Sequence, residues 1–387
     1  MKVKKNFKEF DYPLFITYFV LCIFGLIMIY SSSMMVAVNR LGQEPDFFYK
    51  KQLLNLVVSS IAFIIGVTIP YKKYKKHTWF NSILIGTFVL LIAVHIVGYS
   101  PAGSGAKSWL NLGILKFQPS EVAKLAFIII FSVVYSNKVA KGTINQIKKS
   151  LLPIYIIFIA ALFSIFLEPD IGAIIMLILI FLCLTVASGM SAKGISRIVG
   201  FLTIIGAVLG GIVYLFSDII LSEKRLGRIR AFFNPFEDET GFGLQIANGY
   251  YAIGVGGVQG SGLGQSIQKL GYLPEPQTDF ILAIIAEELG TLGVLIVLGG
   301  LGFIVLRAII IGIRTKDTMA RILAVGIGSW IGIQTFINVG GLSGIIPLTG
   351  VTLPFISYGG SSLLILSFAM GILINISMFV KKERKIN

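Results

Sequence analysis

Residues 151–188 read LLPIYIIFIAALFSIFLEPDIGAIIMLILIFLCLTVAS. This stretch holds two apolar runs, 151–167 and 171–188, which are separated only by Glu168, Pro169 and Asp170. A helix that crosses the hydrocarbon core of a bilayer takes about 17–25 residues. The stretch therefore predicts two antiparallel transmembrane helices that are joined by a tight turn.

Further apolar runs of similar length lie on both sides of this pair. They are 12–32, 53–70, 78–97, 119–136, 195–217, 280–306, 319–338 and 361–380. The first run is too long for the core of a signal peptide, so we interpret it as a retained helix. We predict that residues 1–387 form one all-α polytopic membrane domain with about ten transmembrane helices.

The composition agrees with a membrane protein and excludes several other classes. Of the 387 residues, 55% are hydrophobic and only 13% are charged, and the mean hydropathy is +0.87. Soluble domains carry about 25% charged residues, so a soluble globular enzyme and a disordered chain are both excluded. Cys22 and Cys183 lie inside apolar runs, which excludes a disulfide scaffold.

Basic residues alternate between successive connections and so predict the orientation of the chain. They cluster at the N-terminus, in 71–77, in 137–150, in 307–321 and in the C-terminal tail. Loops rich in Lys and Arg stay in the cytoplasm, so we predict that both termini are cytoplasmic. The net charge of +15 then reflects orientation, and we expect no nucleic-acid partner.

One connection is much longer than the others. It covers residues 218–277, and we predict that it is a large extracellular loop between the seventh and eighth spans. Its apolar and aromatic content argues against disorder, and residues 242–253 are predicted to form a short interfacial helix. The glycine-rich stretch 254–264 lacks dinucleotide-binding spacing, so we interpret it as a flexible or close-packed turn.

Ionisable residues inside a span are costly and indicate either function or a paired structural site. Glu121 and Lys124 are three residues apart, so they share one face of a helix and can pair. They form either an ion pair that locks two helices or the lining of an outward-facing cavity near a substrate. Glu287 and Glu288 point about 100° apart on a helix, and helix–helix hydrogen bonding is their simplest interpretation.

Two aspartates lie at predicted helix starts on the outer side. Asp170 either caps the helix that follows it or has a functional role. Asp279 ends the segment YLPEPQTD, residues 272–279, at the predicted outer face of the membrane. It is either an N-cap or a general base at the level of the lipid headgroups.

Six motifs in order make the chain resemble the SEDS family (shape, elongation, division and sporulation), which includes FtsW, RodA and SpoVE. They are 25–31 (GLIMIYS), 105–109 (GAKSW) with 118–124 (QPSEVAK), 168–172 (EPDIG), 230–235 (RAFFNP), 272–280 (YLPEPQTDF) and 347–362 (PLTGVTLPFISYGGSS). Residues 351–354 and 275–279 are more similar to the FtsW and SpoVE branch than to RodA. One departure is Ser108, where many members have Arg, although Lys107 precedes it.

The resemblance implies a peptidoglycan glycosyltransferase that polymerises lipid II, an undecaprenyl-linked disaccharide-peptide, during cell division. It implies a multi-pass protein of the bacterial cytoplasmic membrane, at the division septum, that acts at the outer face. Asp279 matches the family's essential aspartate and is the expected general base. The motif residues expected to bind substrate are Lys107, Trp109, Gln118, Ser120, Glu121, Lys124, Asp170, Arg228, Arg230, Thr278 and Ser357.

The departing undecaprenyl diphosphate needs positive charge, for which Lys107 and the cluster 224–230 are candidates. That cluster is otherwise a solvated or headgroup-binding face. We expect no metal site and no resident cofactor, and leave a dependence on Mg²⁺ or Mn²⁺ open. The resemblance implies a class B penicillin-binding protein and other divisome membrane proteins as partners. The alternatives are a lipid II flippase and a non-catalytic scaffold that recruits a transpeptidase.

Overall fold

The computed structural model describes residues 9–100, 107–111, 113, 116–215, 223–237 and 241–386. The N-terminal lysines 2, 4, 5 and 8, on which part of the orientation argument rests, lie outside the described residues. So do residues 216–222 and 238–240 of the long predicted loop, and Gly105 and Ala106 of the second motif.

The described chain is built almost entirely from helices. They are α1 (Tyr12–Leu41), α2 (Phe47–Thr68), α3 (His77–Val97), α4 (Pro119–Ala140), α5 (Leu152–Leu167), α6 (Ile171–Ala187), α7 (Ala192–Leu215), α8 (Glu223–Phe233), α9 (Phe242–Gly256), α10 (Ile281–Arg314), α11 (Thr318–Leu342) and α12 (Gly360–Ile386). Short 3₁₀ helices cover Tyr71–Lys75 and Gln268–Leu270, and a π turn, Ile147–Leu151, precedes α5. Strands β1 (Leu110–Asn111) and β2 (Lys116–Phe117) form a small antiparallel hairpin before α4.

Eight helices of the described part are long and apolar enough to cross a bilayer. They are α1 to α4, α5 with its π turn, α10, α11 and α12. The remaining two predicted runs fall on α6, a shorter apolar helix, and on α7. The all-α, multi-pass membrane fold is therefore confirmed, and the number of helices that cross the bilayer stays a prediction.

Helix α11 lies at the centre of the described bundle. It packs against α4, α6 and α10, and Trp330 in its middle is completely buried. Helices α2 and α12 form another close pair. By contrast, the only apolar side chains that α3 buries are Leu91 and Val94, as expected for a helix that faces lipid.

Hydrogen bonds near the described helix ends bring several connections together on one face of the bundle. On one face, buried Asp11 accepts hydrogen bonds from Arg307 and from Ser377 Oγ. On that face Tyr71 Oη also donates to Asp317 at 2.9 Å. Three segments that are predicted to be inside therefore meet on one face: the N-terminus, 71–77 and 307–321. Ser377 lies near the end of the last predicted span and joins them there. That this face is cytoplasmic stays a prediction.

The predicted eighth span, 280–306, is not one straight helix. Helix α10 extends to Arg314, and Gly290 interrupts it with φ 62° and ψ −157°. An added Cβ at Gly290 would lie 2.4 Å from the Val258 carbonyl oxygen. The break exists because the glycine-rich stretch after α9 packs against the helix backbone here. That stretch is therefore the close-packed turn of the two alternatives, and the helix predicted at 242–253 is confirmed as α9.

We predict that Gly371→Ala destabilises the protein, because its Cβ would lie 2.3 Å from the Phe63 carbonyl oxygen where α12 meets α2. Forced overpacking of this kind costs about 1–3 kcal/mol. The matched control is Gly86→Ala on α3, where no heavy atom lies within 4 Å of the new Cβ. The measurement is the thermal midpoint of detergent-solubilised protein, and equal midpoints for the two variants would contradict the packing.

Candidate active site

Asp279 lies just before α10 and does not cap it. The N-cap is Phe280, and no side chain makes a capping hydrogen bond there. Asp279 Oδ1 instead accepts a hydrogen bond from Thr278 Oγ1 at 2.9 Å, and Asp279 is partly buried. The N-cap interpretation of Asp279 is therefore wrong, and its carboxylate is available for another role.

The backbone of Asp279 is held by a side chain from the central helix α11. Asn338 Nδ2 donates to the Asp279 carbonyl oxygen at 2.9 Å and to the Val351 carbonyl oxygen at 2.8 Å. Asn338 is buried. Because one amide group bonds both carbonyls, it joins the start of α10 to the segment between α11 and α12.

That segment, which carries the motif at 347–362, makes two more bonds to the same backbone. Ser357 Oγ donates to the Thr278 carbonyl oxygen at 2.5 Å, and the Tyr358 backbone N–H donates to the Gln277 carbonyl oxygen at 2.9 Å. Ser357 Oγ also accepts from the Leu353 N–H at 2.8 Å. Three consecutive carbonyls, 277 to 279, are thus each fixed from outside their own loop.

The segment carrying Ser357 is itself held in a strained conformation. Phe355 is buried with φ +65°, a region that costs a bulky residue about 1–3 kcal/mol. Its ring packs edge-on against the ring of Tyr18, with centroids 5.2 Å apart. On the same helix, Gly25 leaves room for this backbone, because a Cβ there would lie 2.7 Å from the Phe355 carbonyl oxygen. Gly25 of the first motif therefore has a packing role at the site.

Burial raises the pKa of Asp279 above its ordinary value. Three smaller effects act in the opposite direction: the hydrogen bond from Thr278, a bond from the backbone, and the positive charge of Arg228. Burial and the charge of Asp279 both raise the pKa of Glu275. Asp279 is therefore a more basic carboxylate than an exposed aspartate, and it lies within electrostatic range of one cation and one acid.

Arg228 and Arg230, both predicted site residues, have different environments. Arg228 on α8 stacks over the Phe242 ring at 4.9 Å and acts electrostatically on Asp279. Arg230 lies two residues further along α8 and is exposed. Of the two arginines, Arg228 is therefore the one whose charge acts on the candidate base, Asp279.

The predicted residues at the start of α4 form a second cluster around Asp170. Asp170 Oδ2 accepts hydrogen bonds from Gln118 Nε2 at 2.9 Å and from Ser120 Oγ at 3.2 Å. Asp170 Oδ1 accepts from the Ala173 N–H at 3.0 Å, which confirms that Asp170 caps α6. Ser361 Oγ accepts from the Gln118 N–H at 3.1 Å, so the motif at 347–362 contacts this cluster too.

Glu121 and Lys124 form the predicted ion pair inside α4. Lys124 Nζ lies 2.8 Å from Glu121 Oε1, is completely buried, and stacks over the Trp330 ring at 5.3 Å. Glu121 Oε2 has no hydrogen-bond partner within the described chain. The pairing is confirmed, and the pair contacts the central helix α11 through Trp330. That it lines a substrate cavity stays a prediction.

Lys107 and Trp109 lie on the strand-like segment between α3 and α4. The Tyr99 N–H donates to the Trp109 carbonyl oxygen at 2.8 Å, which ties this segment to the end of α3. Lys107 is exposed. Substrate binding by either residue stays a prediction.

A buried ion pair that the sequence did not reveal ties the long loop to the bundle. Lys269, which belongs to the long predicted loop 218–277, is buried, and its Nζ lies 2.7 Å from Glu288 Oε1. Ser31 Oγ of α1 donates to Glu288 at 2.8 Å and accepts from Lys269 Nζ at 3.0 Å. Ser31 lies about 15 Å before the end of α1, at 1.5 Å per residue. The loop therefore enters the bundle well before the C-terminal end of α1.

The two adjacent glutamates of α10 have separate partners. Glu288 bonds Ser31 on another helix, as its interpretation predicted. Glu287 instead accepts hydrogen bonds from Ser266 Oγ and, at 2.8 Å, from the Ile267 N–H. Both carboxylates thus fix the loop that precedes Asp279 in the chain.

Asn338 and Gln334 were not among the predicted site residues, although the sequence contained a signal for them. They are polar, lie four residues apart in an apolar run, and so share one face of α11. Gln334 Nε2 donates to the Thr352 carbonyl oxygen at 3.0 Å. Polar side chains within a span, like charged ones, indicate a functional or structural contact. Within the described residues, no group of three or more His, Cys, Asp or Glu side chains is placed to hold a metal ion.

Comparison with known families and sequences gives a consistent result. The profile of the FtsW/RodA/SpoVE family, described as "Cell cycle protein", matches residues 12–382. The chain is 44% identical over 379 residues to the "Probable peptidoglycan glycosyltransferase FtsW" of Bacillus subtilis (strain 168), covering 98% of this chain and 93% of the relative. It is 38% identical over 369 residues to the "Stage V sporulation protein E" of that strain, covering 95% and 97%.

Solved structures share the fold. One is described as "Structural coordination of polymerization and crosslinking by a peptidoglycan synthase complex". A chain of it matches with a TM-score of 0.77 at 21% identity, covering 96% of this chain and 98% of that one. The rod shape determining protein RodA of Thermus thermophilus matches with a TM-score of 0.65 at 20% identity, covering 95% and 96%. At these identities the likeness establishes the fold alone.

We predict that Lys269→Met destabilises the protein by about 3–5 kcal/mol, because Glu288 would keep a buried charge without its cation. The double variant Lys269→Met, Glu288→Gln removes both charges and should recover most of the loss. The measurement is the thermal midpoint of the purified protein. A double variant no more stable than the single one would show that the ion pair is not what the substitution disrupts.

Proposed function

This chain belongs to the FtsW/RodA/SpoVE family of cell cycle proteins, and we propose that it is a peptidoglycan glycosyltransferase that polymerises lipid II at the outer face of the cytoplasmic membrane. The observation that carries the mechanism is the fixed, basic carboxylate of Asp279. Its backbone is held from α11 and from the segment before α12, and Arg228 acts on its charge. The names of the sequence relatives support the activity.

Asp279 is the general base in this proposal. The 4-hydroxyl oxygen of the acceptor sugar attacks the anomeric carbon of the donor, and its proton passes to an Asp279 carboxylate oxygen. The new glycosidic bond forms as the bond from the anomeric carbon to the diphosphate breaks, and undecaprenyl diphosphate leaves. A positioned base contributes about 10²–10⁴-fold to such a step. A carboxylate whose pKa is raised is better suited to accept that proton.

The bonds to carbonyls 277–279 serve positioning. A general base must lie within hydrogen-bond reach of the hydroxyl it deprotonates, and small displacements are costly in rate. Asn338, Ser357 and the Tyr358 N–H hold the peptide backbone, so that only the side-chain torsions of Asp279 stay free. In the same proposal, Arg228 supports the negative charge of the departing diphosphate.

The cellular setting is proposed from the relatives. The chain is a multi-pass membrane protein, and we place it at the division septum because a close relative carries the name FtsW. We propose a class B penicillin-binding protein and other divisome membrane proteins as partners. The description of one structure of the same fold, which couples polymerisation to crosslinking, supports the first of these.

The other two functions have less support from the structure. A flippase needs polar groups along the membrane depth, whereas the deep acids Glu287 and Glu288 are bonded to Ser266, Lys269 and Ser31. A scaffold without chemistry does not require a basic carboxylate whose backbone is fixed at three carbonyls.

We predict that Asp279→Asn abolishes glycan synthesis from labelled lipid II by the purified protein with its partner. The loss should be at least about 10²–10⁴-fold, since the base is removed while the shape is kept. The control is Glu44→Gln, an exposed acid that pairs with Lys50 at the start of α2. Normal polymer from Asp279→Asn would refute the catalytic role. If neither the wild type nor Asp279→Asn polymerises lipid II, but both flip it in proteoliposomes, the flippase function is favoured.

We also predict a change in the pH profile when Arg228 becomes Gln. The base must be ionised, so the rate falls as the pH drops below its pKa. The positive charge of Arg228 lowers the pKa of Asp279, and its removal should move the acid limb of kcat/KM to higher pH. Arg228→Lys should restore the limb, and Arg230→Gln should leave its position unchanged whatever its effect on rate. If the acid limb of kcat/KM in Arg228→Gln lies at the same pH as in the wild type, the interaction between Arg228 and Asp279 is contradicted.

A further inference from the structure

We propose that the protein binds one anionic phospholipid in a groove between α6, α10 and α11, at the end of the bundle opposite Asp279. An acyl chain fills the groove and the headgroup phosphate binds the Arg321 guanidinium. The site is separate from the candidate active site and does not depend on the proposed reaction.

The groove is a large apolar cavity. It has a volume of about 530 Å³, within the range of about 300–1,000 Å³ that small-molecule sites occupy. Its apolar lining comes from Leu182 and Val186 of α6, Ile313 of α10 and Val325 of α11. Val186 is 60% exposed and Ile313 is 74% exposed. The groove therefore opens away from the bundle, toward the space that lipid chains occupy.

Arg321 supplies a cation at the polar end of this groove. It lies in the first turns of α11, is half-buried, and its Nε has no hydrogen-bond partner in the described chain. Its guanidinium approaches Gly189 just beyond the C-terminal end of α6. Arg321 is itself one of the residues that line the groove, so a ligand there can contact its guanidinium.

The nearby acid is already engaged. Asp317, one helical turn before Arg321, accepts hydrogen bonds from the Met319 N–H at 2.9 Å and from Tyr71 Oη at 2.9 Å. It also lies 4.0 Å from Lys72 Nζ. Among the described residues Arg321 forms no ion pair, so an anion from outside the chain is the natural partner. A guanidinium binds phosphate with two parallel hydrogen bonds.

The surrounding charge selects an anionic lipid over a neutral one. Arg314 and Lys316 are exposed beside the groove, in the connection from α10 to α11. This connection is on the face predicted to be cytoplasmic, where each basic residue near an anionic membrane contributes about 1 kcal/mol. Basic pockets between transmembrane helices on that side bind anionic headgroups. An anionic phospholipid fits both the apolar groove, which takes its acyl chain, and the Arg321 guanidinium, which binds its phosphate.

The chain offers a native reporter for this site. Cys183 lines the groove and is partly exposed, whereas Cys22, the other cysteine of the chain, is buried in α1. We expect dioctanoyl phosphatidylglycerol to slow maleimide labelling of Cys183 in delipidated, detergent-purified full-length protein. Dioctanoyl phosphatidylcholine and inorganic phosphate should not slow it at the same concentrations. Cys183→Ala gives the background from Cys22.

Substitutions test the headgroup contact and the acyl-chain contact separately. Arg321→Gln should weaken the protection by phosphatidylglycerol at least about tenfold, or 1.4 kcal/mol, while Arg314→Gln should keep it. Val186→Trp, at an exposed position, should fill the groove and prevent binding without disturbing the core. Native mass spectrometry should show one retained phosphatidylglycerol on the wild type and none on Val186→Trp.

Several results would overturn the proposal. They are equal protection by phosphatidylcholine, full protection in a folded Arg321→Gln protein, protection by inorganic phosphate alone, and absence of protection by any lipid. If Arg321→Gln does not fold, Val186→Trp with phosphatidylglycerol decides the matter, and a lipid retained by that variant counts against the groove. None of these readouts depends on polymerase activity, so the proposed function can fail without affecting this test.

Discussion

The candidate site depends on one constraint, the fixing of three consecutive backbone carbonyls ahead of α10 by groups from elsewhere in the chain. Asn338 reaches the carbonyl of Asp279 from the central helix, and Ser357 and the Tyr358 N–H reach the two carbonyls before it. A loop before a helix is ordinarily mobile. Here the loop is hydrogen-bonded to α11 and to the buried segment before α12, so the backbone that carries the Asp279 carboxylate is fixed.

A second constraint governs the irregular backbone inside the bundle. Non-helical chain at membrane depth is tolerated only where protein surrounds it. The segment with Phe355 meets this condition because Gly25 leaves space on α1. The loop with Lys269 meets it through the ion pair with Glu288 and through the break of α10 at Gly290. The first segment bonds the residue just before Asp279 through Ser357, and the second is joined to Glu288 of α10.

Much of this could be predicted from residue type and spacing. The apolar runs predicted the helices, Asp170 capped α6 as its position suggested, and Glu121 paired with Lys124 across one helical turn. These results share a cause: each depends on neighbours within about four residues along the chain. At Asp279 the spacing left capping and a general base as alternatives, and tertiary contacts hold the residue outside the helix.

Composition and local periodicity are enough to establish an all-α membrane protein, and the motifs place it in a family, because these signals do not depend on tertiary contacts. Helix packing is needed to show that Lys269 is a buried partner of Glu288, and that Arg228 is the cation acting on Asp279. The same holds for Asn338, which joins the start of α10 to the segment before α12. The partners in these contacts are far apart in the chain or lie on different elements, and the distance between such groups is set by how the helices pack.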